Sequence, residues 1–327
     1  MRTAIQSLLL TALLAYPASA QQVLFADDFN DGNAHGWQEF DGTFAVQNGQ
    51  YRITTTQFCQ EGRAIAGNPA WVDYAIDVDF FIDSGLSNAH AAILFRVQQV
   101  VSGCGQGRYL QFNVFPTFSG YCRIDFSGSV CSAGIERPMV TSLRQWHHAR
   151  VEVRGTDAYA WVDGRYAIHA PGFVPFATGR IGLKCINTNS VVYDNVVVTG
   201  LPNGSAWNEI GAGISGSNGM PTLRGVGALI EGSPTSLLLR NDPRGGAGVL
   251  FAGLTTQYRP LAGGILIPTE DLVVGSFLLN ASGELDMTSP WPGLVPVGTE
   301  LYFQFWMFDA SAVMGFSATN GVRCVAP

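Results

Sequence analysis

The feature that most limits what this chain can become is an alternation of apolar and polar residues with a period of two. It recurs through residues 23–201 in QYRITTT, YAIDVDFFI, AAILFRVQ, YLQFNVF, YCRIDFS, HARVEVR, YAWVDG, GRIGLKCI and VVYDNVVV. Successive strand side chains point to opposite faces, so the pattern builds strands with one buried side. The separators NGQ, DSG, SGCGQG, PTFSG, RGTD, DGR and NTNS supply residues that accept a positive φ or preset a turn. No stretch repeats at 3.6 residues, which removes crossover helices. Strands so spaced form an antiparallel sandwich or barrel.

Leu201-Pro202-Asn203-Gly204-Ser205 follows a finished strand and reads as a linker. Beyond it glycine becomes denser, and short apolar runs such as TSLLLRN, GGILIP and LYFQFWMFD predict a second, smaller β-sandwich. A mature chain of roughly 300 residues exceeds what one core serves, so two domains are expected, 21–201 and 202–327. With 39 Gly, 20 Phe and 13% charged residues, the composition is poor in the residues that exposed helices use. A net charge of −7 without any basic run excludes nucleic acid as a partner.

Residues 1–20 predict a secretory signal that is removed. Arg2 is the basic start, Leu8 to Leu14 the apolar run, and Ala18-Ser19-Ala20 the cleavage site. That run is shorter than the roughly 20 residues a bilayer requires, and no later apolar run is long enough to span one, so no membrane insertion is expected. The reading is a secreted or cell-surface protein. Six cysteines fit an oxidising compartment, and no C-x₂₋₄-C pair offers a zinc site. Cys122 and Cys131 flank IDFSGSV, read as a hairpin turning near Ser127-Gly128, and predict one disulfide. Cys59–Cys104 and Cys185–Cys324 are the pairs left over.

DDFNDGNAHGWQEFDGTFAVQNGQYRI, then QWHHARVEVRGTDAYAWVDGRYAIHA and GRIGLKCINTNSVVYDNVVV, carry a family likeness. The W-x₃-R-V-x-V pattern, the VDG hairpin and the closing G-x-I-G-L…D-N-V-x-V resemble concanavalin A-like jelly rolls of the laminin-G and glucanase type. The resemblance covers over half the chain and implies an all-β concanavalin A-like sandwich, a fold shared by lectins, hydrolases and adhesion modules. From Pro221 to Val325, G-x-P-x-L-x-G, P-L-x-G-G and L-Y-x-Q-x-W-x-x-D…G-F-S-A-T-N-G resemble a Gly-rich β-sandwich that closes secreted bacterial proteins. That likeness implies a surface or export role and no chemistry.

Catalytic motifs are missing. Family 16 glucanases, which the first module resembles, carry E-x-D-x-x-E on a central strand, where alternate carboxylates share a face. Here YLQFNVF and YCRIDFS contain only Asp125, and Glu39-x-Asp41 falls in the first loops. G-x-S-x-G and H-E-x-x-H do not occur, and adjacent His147 and His148 face opposite sides of a strand. The leading expectation is a non-catalytic protein that binds a glycan or cell-surface polymer. A hydrolase with an unrecognised site and a structural envelope or matrix protein are the alternatives.

In the jelly-roll family sugars lie across the curved sheet. Parity directs Arg96, Gln111, Asn113, Arg123 and Lys184 to that side, with Tyr109 and Tyr121 beside them, and sends Phe95, Leu110, Phe112 and Ile124 to the core. Planar polar groups for hydroxyls and aromatic faces for rings suit a sugar, although any sandwich has solvent-facing strand residues. Lys184 stands out as the chain's single lysine. The resemblance also implies a structural Ca²⁺, with Asp28, Gly49 and Asp194 at the matching places. In the second module Trp306 and Phe308 alternate with Phe305 and Met307, so one set is core and the other exposed or packed elsewhere.

Overall fold

The computed structural model describes residues 22–84, 90–116, 120–127, 134–187, 190–201, 206–241, 243 and 246–327. The expected signal segment, the linker at 202–205 and Cys131 lie outside them. The chain divides into two compact units, residues 21–204 and 205–327. Among the described residues every element is a strand except one short 3₁₀ turn, Val313–Gly315.

Among the described residues fifteen strands build the first unit: β1 (Val23–Asp27), β2 (Gln38–Phe40), β3 (Thr43–Gln47), β4 (Gln50–Thr54), β5 (Glu61–Ala66), β6 (Tyr74–Ser84), β7 (Ala91–Val100), β8 (Gly107–Phe115), β9 (Tyr121–Ser127), β10 (Gly134–Pro138), β11 (Trp146–Arg154), β12 (Asp157–Val162), β13 (Arg165–Ala170), β14 (Arg180–Ile186) and β15 (Ser190–Gly200). An eight-stranded sheet runs β13-β12-β11-β6-β15-β4-β3, with β1 on β15, and a seven-stranded sheet runs β10-β9-β8-β7-β14-β5-β2. All pairings are antiparallel, as the missing crossover helices require. The inward set includes Ile76, Val78 and Phe80 from β6, Val151 and Val153 from β11, and Phe95, Leu110, Phe112 and Ile124 from the facing sheet. The alternation therefore builds two stacked layers, with every second side chain left on the outer faces.

The second unit adds β16 (Trp207–Ile210), β17 (Thr222–Val226), β18 (Pro234–Arg240), β19 (Ala247–Gly253), β20 (Thr256–Leu261), β21 (Gly264–Pro268), β22 (Leu272–Leu278), β23 (Leu285–Pro290), β24 (Glu300–Phe308), β25 (Phe316–Ala318) and β26 (Gly321–Val325). A six-stranded sheet containing β16-β26-β24-β19-β22 faces the three-stranded β17-β18-β23 across one apolar cluster, a smaller sandwich. Phe305 and Met307 fill that cluster. Trp306 packs with Leu266 of the β20–β21 hairpin and with Ala318, leaving Phe308 exposed.

The cysteines correct two expectations. The bridge that forms is Cys59–Cys104, with Cα atoms 5.4 Å apart. Cys122 is a free, buried thiol, so the expected Cys122–Cys131 bridge is not made. It shares the inward side of β9 with Ile124, and its Sγ approaches the Ala167 carbonyl on β13 of the opposite sheet at 3.8 Å. Cys185 and Cys324 are likewise free, each buried in the core of its own unit, so they form no pair.

Candidate functional site

The outer face of the seven-stranded sheet gathers most of the expected binding residues. Register sets Arg123 beside Asn113, Asn113 beside Ala92, Ala92 beside Lys184 and Lys184 beside Arg63, a row across five strands. Asp125 and Gln111 face each other one step along. Lys184 Nζ donates to Glu61 Oε1 at 2.7 Å and to Gln111 Oε1 at 3.0 Å, and lies 5.7 Å from the centre of the Tyr109 ring. Tyr109 donates to the other Glu61 oxygen at 3.2 Å, so it forms a buried wall and presents no aromatic face to solvent. Asn113 Nδ2 donates to Asp125 at 3.3 Å, and Arg123 bridges Asp125 at 2.9 Å and Glu136 at 3.0 Å.

These contacts make a nearly continuous polar network from Glu136 to Asp41, where Arg63 ends it by pairing with both Glu61 and Asp41. Buried charges persist when paired and hydrogen-bonded, and here nearly every charge has an opposite neighbour. Asp125 is the strained member. Burial pushes its carboxyl above the ordinary range, opposed by a hydrogen bond from Gln111 and by Arg123, Lys184 and Asn113. Asn113 is 1% exposed, and its Oδ1 has no partner among the described residues. Beside it, Tyr121 stacks on Phe115 with centroids 4.4 Å apart, and Phe115 lies 4.2 Å from His90.

Arg96 does not join this set. A bulge between Phe95 and Gln99 interrupts the β7–β8 register, and Arg96 takes a φ of 51°. Its guanidinium, fully buried, donates to the Trp71 and Val72 carbonyls and pairs with Asp73 at 3.3 Å. The alternation misdirects it because the extra residue breaks parity. Glu61, Arg63 and Asp41 were missed by the sequence reading. The E-x-R-x-I spacing of EGRAIA, which puts Glu61, Arg63 and Ile65 on one face, was the available signal.

The three places expected to hold calcium lie around the start of the first unit and the last strand of its eight-stranded sheet. Asp28 follows β1 and accepts from the Asn30 amide at 3.2 Å. Gly49 has a φ of +71°, and a Cβ there would meet Asn30 Oδ1 at 2.6 Å. Asp194 sits at a register shift in β15, and burial together with the nearby Asp79 and Asp28 carboxylates raises its carboxyl. Among the described residues no three His, Cys, Asp or Glu side chains are arranged to hold a metal, so backbone oxygens would have to complete any such site.

A family model described as a 3-keto-alpha-glucoside-1,2-lyase-like domain matches residues 24–199. The chain belongs to that family. The matched stretch of the lyase-like domain begins in β1 and ends in β15, so it contains both sheets and the whole outer-face network. No curated protein matches the sequence. Among solved structures, the carbohydrate-binding module CBM66 from Bacillus subtilis is 18% identical, with 50% of this chain and 95% of that one covered and a TM-score of 0.43. The Emp47p carbohydrate recognition domain is 16% identical, covering 57% and 99%, with a TM-score of 0.45. The VIP36 exoplasmic/lumenal domain in its Ca²⁺/Man3GlcNAc-bound form is 14% identical, covering 52% and 86%, at 0.41. Among the described residues no helix is long and apolar enough to cross a membrane.

Proposed function

We propose that the lyase-like domain is a non-catalytic glycan-binding module of an exported protein, with residues 1–20 removed on secretion. Its site is the outer-face network of Gln111, Asn113, Arg123, Asp125 and Lys184, bordered by the Tyr121–Phe115 stack. The observation that carries this reading is the unpartnered Oδ1 of Asn113, held in a row whose other polar groups are mostly paired. A buried acceptor without a partner costs about 1–3 kcal/mol, and a sugar hydroxyl donating to it would offset that cost. The adjoining aromatic stack offers an apolar face to a ring. Membership in a family named for a glucoside lyase supports carbohydrate as the ligand class. The module at 202–327 would then serve for attachment.

A glycan array followed by affinity electrophoresis tests the reading. Retention by one carbohydrate class is expected, weakened about tenfold or more by Asn113→Ala or Tyr121→Ala in chains that still melt cooperatively. No retention on any glycan, with and without calcium, would end it.

One observation favours a second reading. Asp125 combines a raised pKa with hydrogen-bonding neighbours, the setting in which a carboxyl exchanges protons with a substrate. A carbohydrate-active enzyme would show turnover on a polysaccharide and 3-keto-glucoside panel, abolished by Asp125→Asn. For the structural Ca²⁺, the repulsion between Asp194 and its acidic neighbours is what a divalent cation would relieve. Calcium should raise the melting temperature of the native chain and leave Asp28→Asn and Asp194→Asn unchanged.

A further inference from the structure

The outer face of the seven-stranded sheet is not uniform from edge to edge. On the β5–β14–β7 side, Ile65, Ala92, Leu94, Val97 and Tyr109 form a second apolar cluster, separate from the core between the sheets, with Phe40 and Val100 packed against it. Gly182 makes that cluster continuous, since a Cβ there would stand 2.6 Å from Ile65 Cδ1 and 3.1 Å from Leu94 Cδ1. The segment that follows Val100 is fastened down at several points. Arg63, with no exposed surface, donates to the Gln106 carbonyl at 2.5 Å, to Val101 at 3.0 Å and to Gly103 at 3.2 Å. Asp41 accepts from both Arg63 and the Gly103 amide, and Cys104 is bonded to Cys59. On the β9–β10 side the outer face stays accessible: the Arg123 side chain is 25% exposed and that of Glu136 52%.

We infer that this clasp closes one end of the site, so that it seats the terminus of a saccharide chain and excludes its interior. A chain lying across the sheet from β10 would run through Arg123, Asn113 and Gln111 and stop at the buried Lys184–Glu61 pair, with the apolar cluster alongside and the segment fastened by Arg63 and Asp41 beyond. An interior stretch needs two open ends, and the described residues provide one. The inference rests on the glycan-binding reading above and assigns to Arg63, Asp41 and the Cys59–Cys104 bridge the role of setting specificity at that site.

Titration calorimetry of the full chain against size-fractionated glucan, fructan, galactan and mannan ladders, each from disaccharide to polymer, tests it. For the ladder that binds, one protein per chain is expected at every length, with the affinity per chain constant beyond a few sugars. Occupancy that rises in proportion to chain length overturns the blind-ended site while leaving glycan binding intact. Heat from none of the ladders removes the glycan reading and this inference together. Opening the clasp with Cys59→Ser plus Cys104→Ser, or separately with Arg63→Met should a double variant misfold, is expected to raise occupancy on the polymer to several per chain. Disaccharide affinity of the chain lacking the bridge should stay within about twofold. Occupancy still limited to one per chain in an opened, folded variant overturns the role given to the clasp.

Discussion

His148, on the outer face of the eight-stranded sheet, reaches two carboxylates of the neighbouring strand, Asp79 at 2.7 Å and Asp77 at 3.3 Å. The hydrogen bonds to Asp77 and then Asp79 push its pKa up to about 9, against the opposing effect of burial. Because the folded value lies above the ordinary 6.5, its stabilising contribution is complete below about 6.5 and is lost as pH rises through 9. The side chain is half exposed, so solvent screening holds the pair to at most about 1 kcal/mol, or about 2–4 °C in melting temperature. His148→Gln should therefore melt lower by up to that amount at pH 6 and match the native chain at pH 10. Equal losses at both values would show that packing, and not charge, is what His148 supplies. His148 also shows how far single residues could be read from sequence. Its separation from His147 followed from strand parity, and the two do turn to different partners, Asp163 and the Asp77–Asp79 pair. Lys184 stood out by rarity, yet its partner Glu61 lies 123 residues away, a pairing that only the β5–β14 register creates.

Strands were the most legible level, because alternation decides which face each side chain takes before any partner is known. Leu110, Phe112 and Ile124 went inward and Gln111, Asn113 and Arg123 outward, as a period of two requires. What alternation cannot encode is a bulge or a cross-sheet neighbour. Arg96 was lost to the first, and the expected Cys122 bridge to the second: Cys122 faces the opposite sheet and stays a buried thiol, whereas the leftover pair Cys59 and Cys104 is joined. Their bond closes 45 residues of chain, long enough for the constraint on the unfolded ensemble to contribute about 2–4 kcal/mol. The Cys59→Ser/Cys104→Ser chain should melt on the order of 5–15 °C lower. A reductant should lower the native chain to the same point and leave the variant where it is. A native melting curve indifferent to reductant would mean that Arg63 and the apolar cluster hold the segment alone. The buried thiols should not complicate the comparison, since burial raises Cys122 and Cys185 to about 11 and disfavours their reactive thiolates.

At the scale of the whole chain, the two cores share no residue, and each is enclosed by strands of one unit. The backbone is stitched to the first unit as far as Leu201, whose amide donates to the Asp73 carbonyl at 2.9 Å, after Gly200 has donated to Gln22 at the same distance. It is taken up by the second unit at Ala206, whose carbonyl accepts from Val325 at 3.1 Å. Among the described residues no ladder pair and no core member falls between these anchors, which is the physical condition for a domain boundary. We therefore expect residues 21–201 and 202–327 to fold as separate chains. The first fragment should melt within a few degrees of the corresponding transition in the intact protein and keep its full affinity for the array glycan. A fragment 21–201 that binds a hydrophobic dye and lacks a cooperative transition would show that its core needs the second module, and the chain would then be one folding unit. Intact affinity in that fragment would instead confine recognition to the lyase-like domain and leave attachment to the rest.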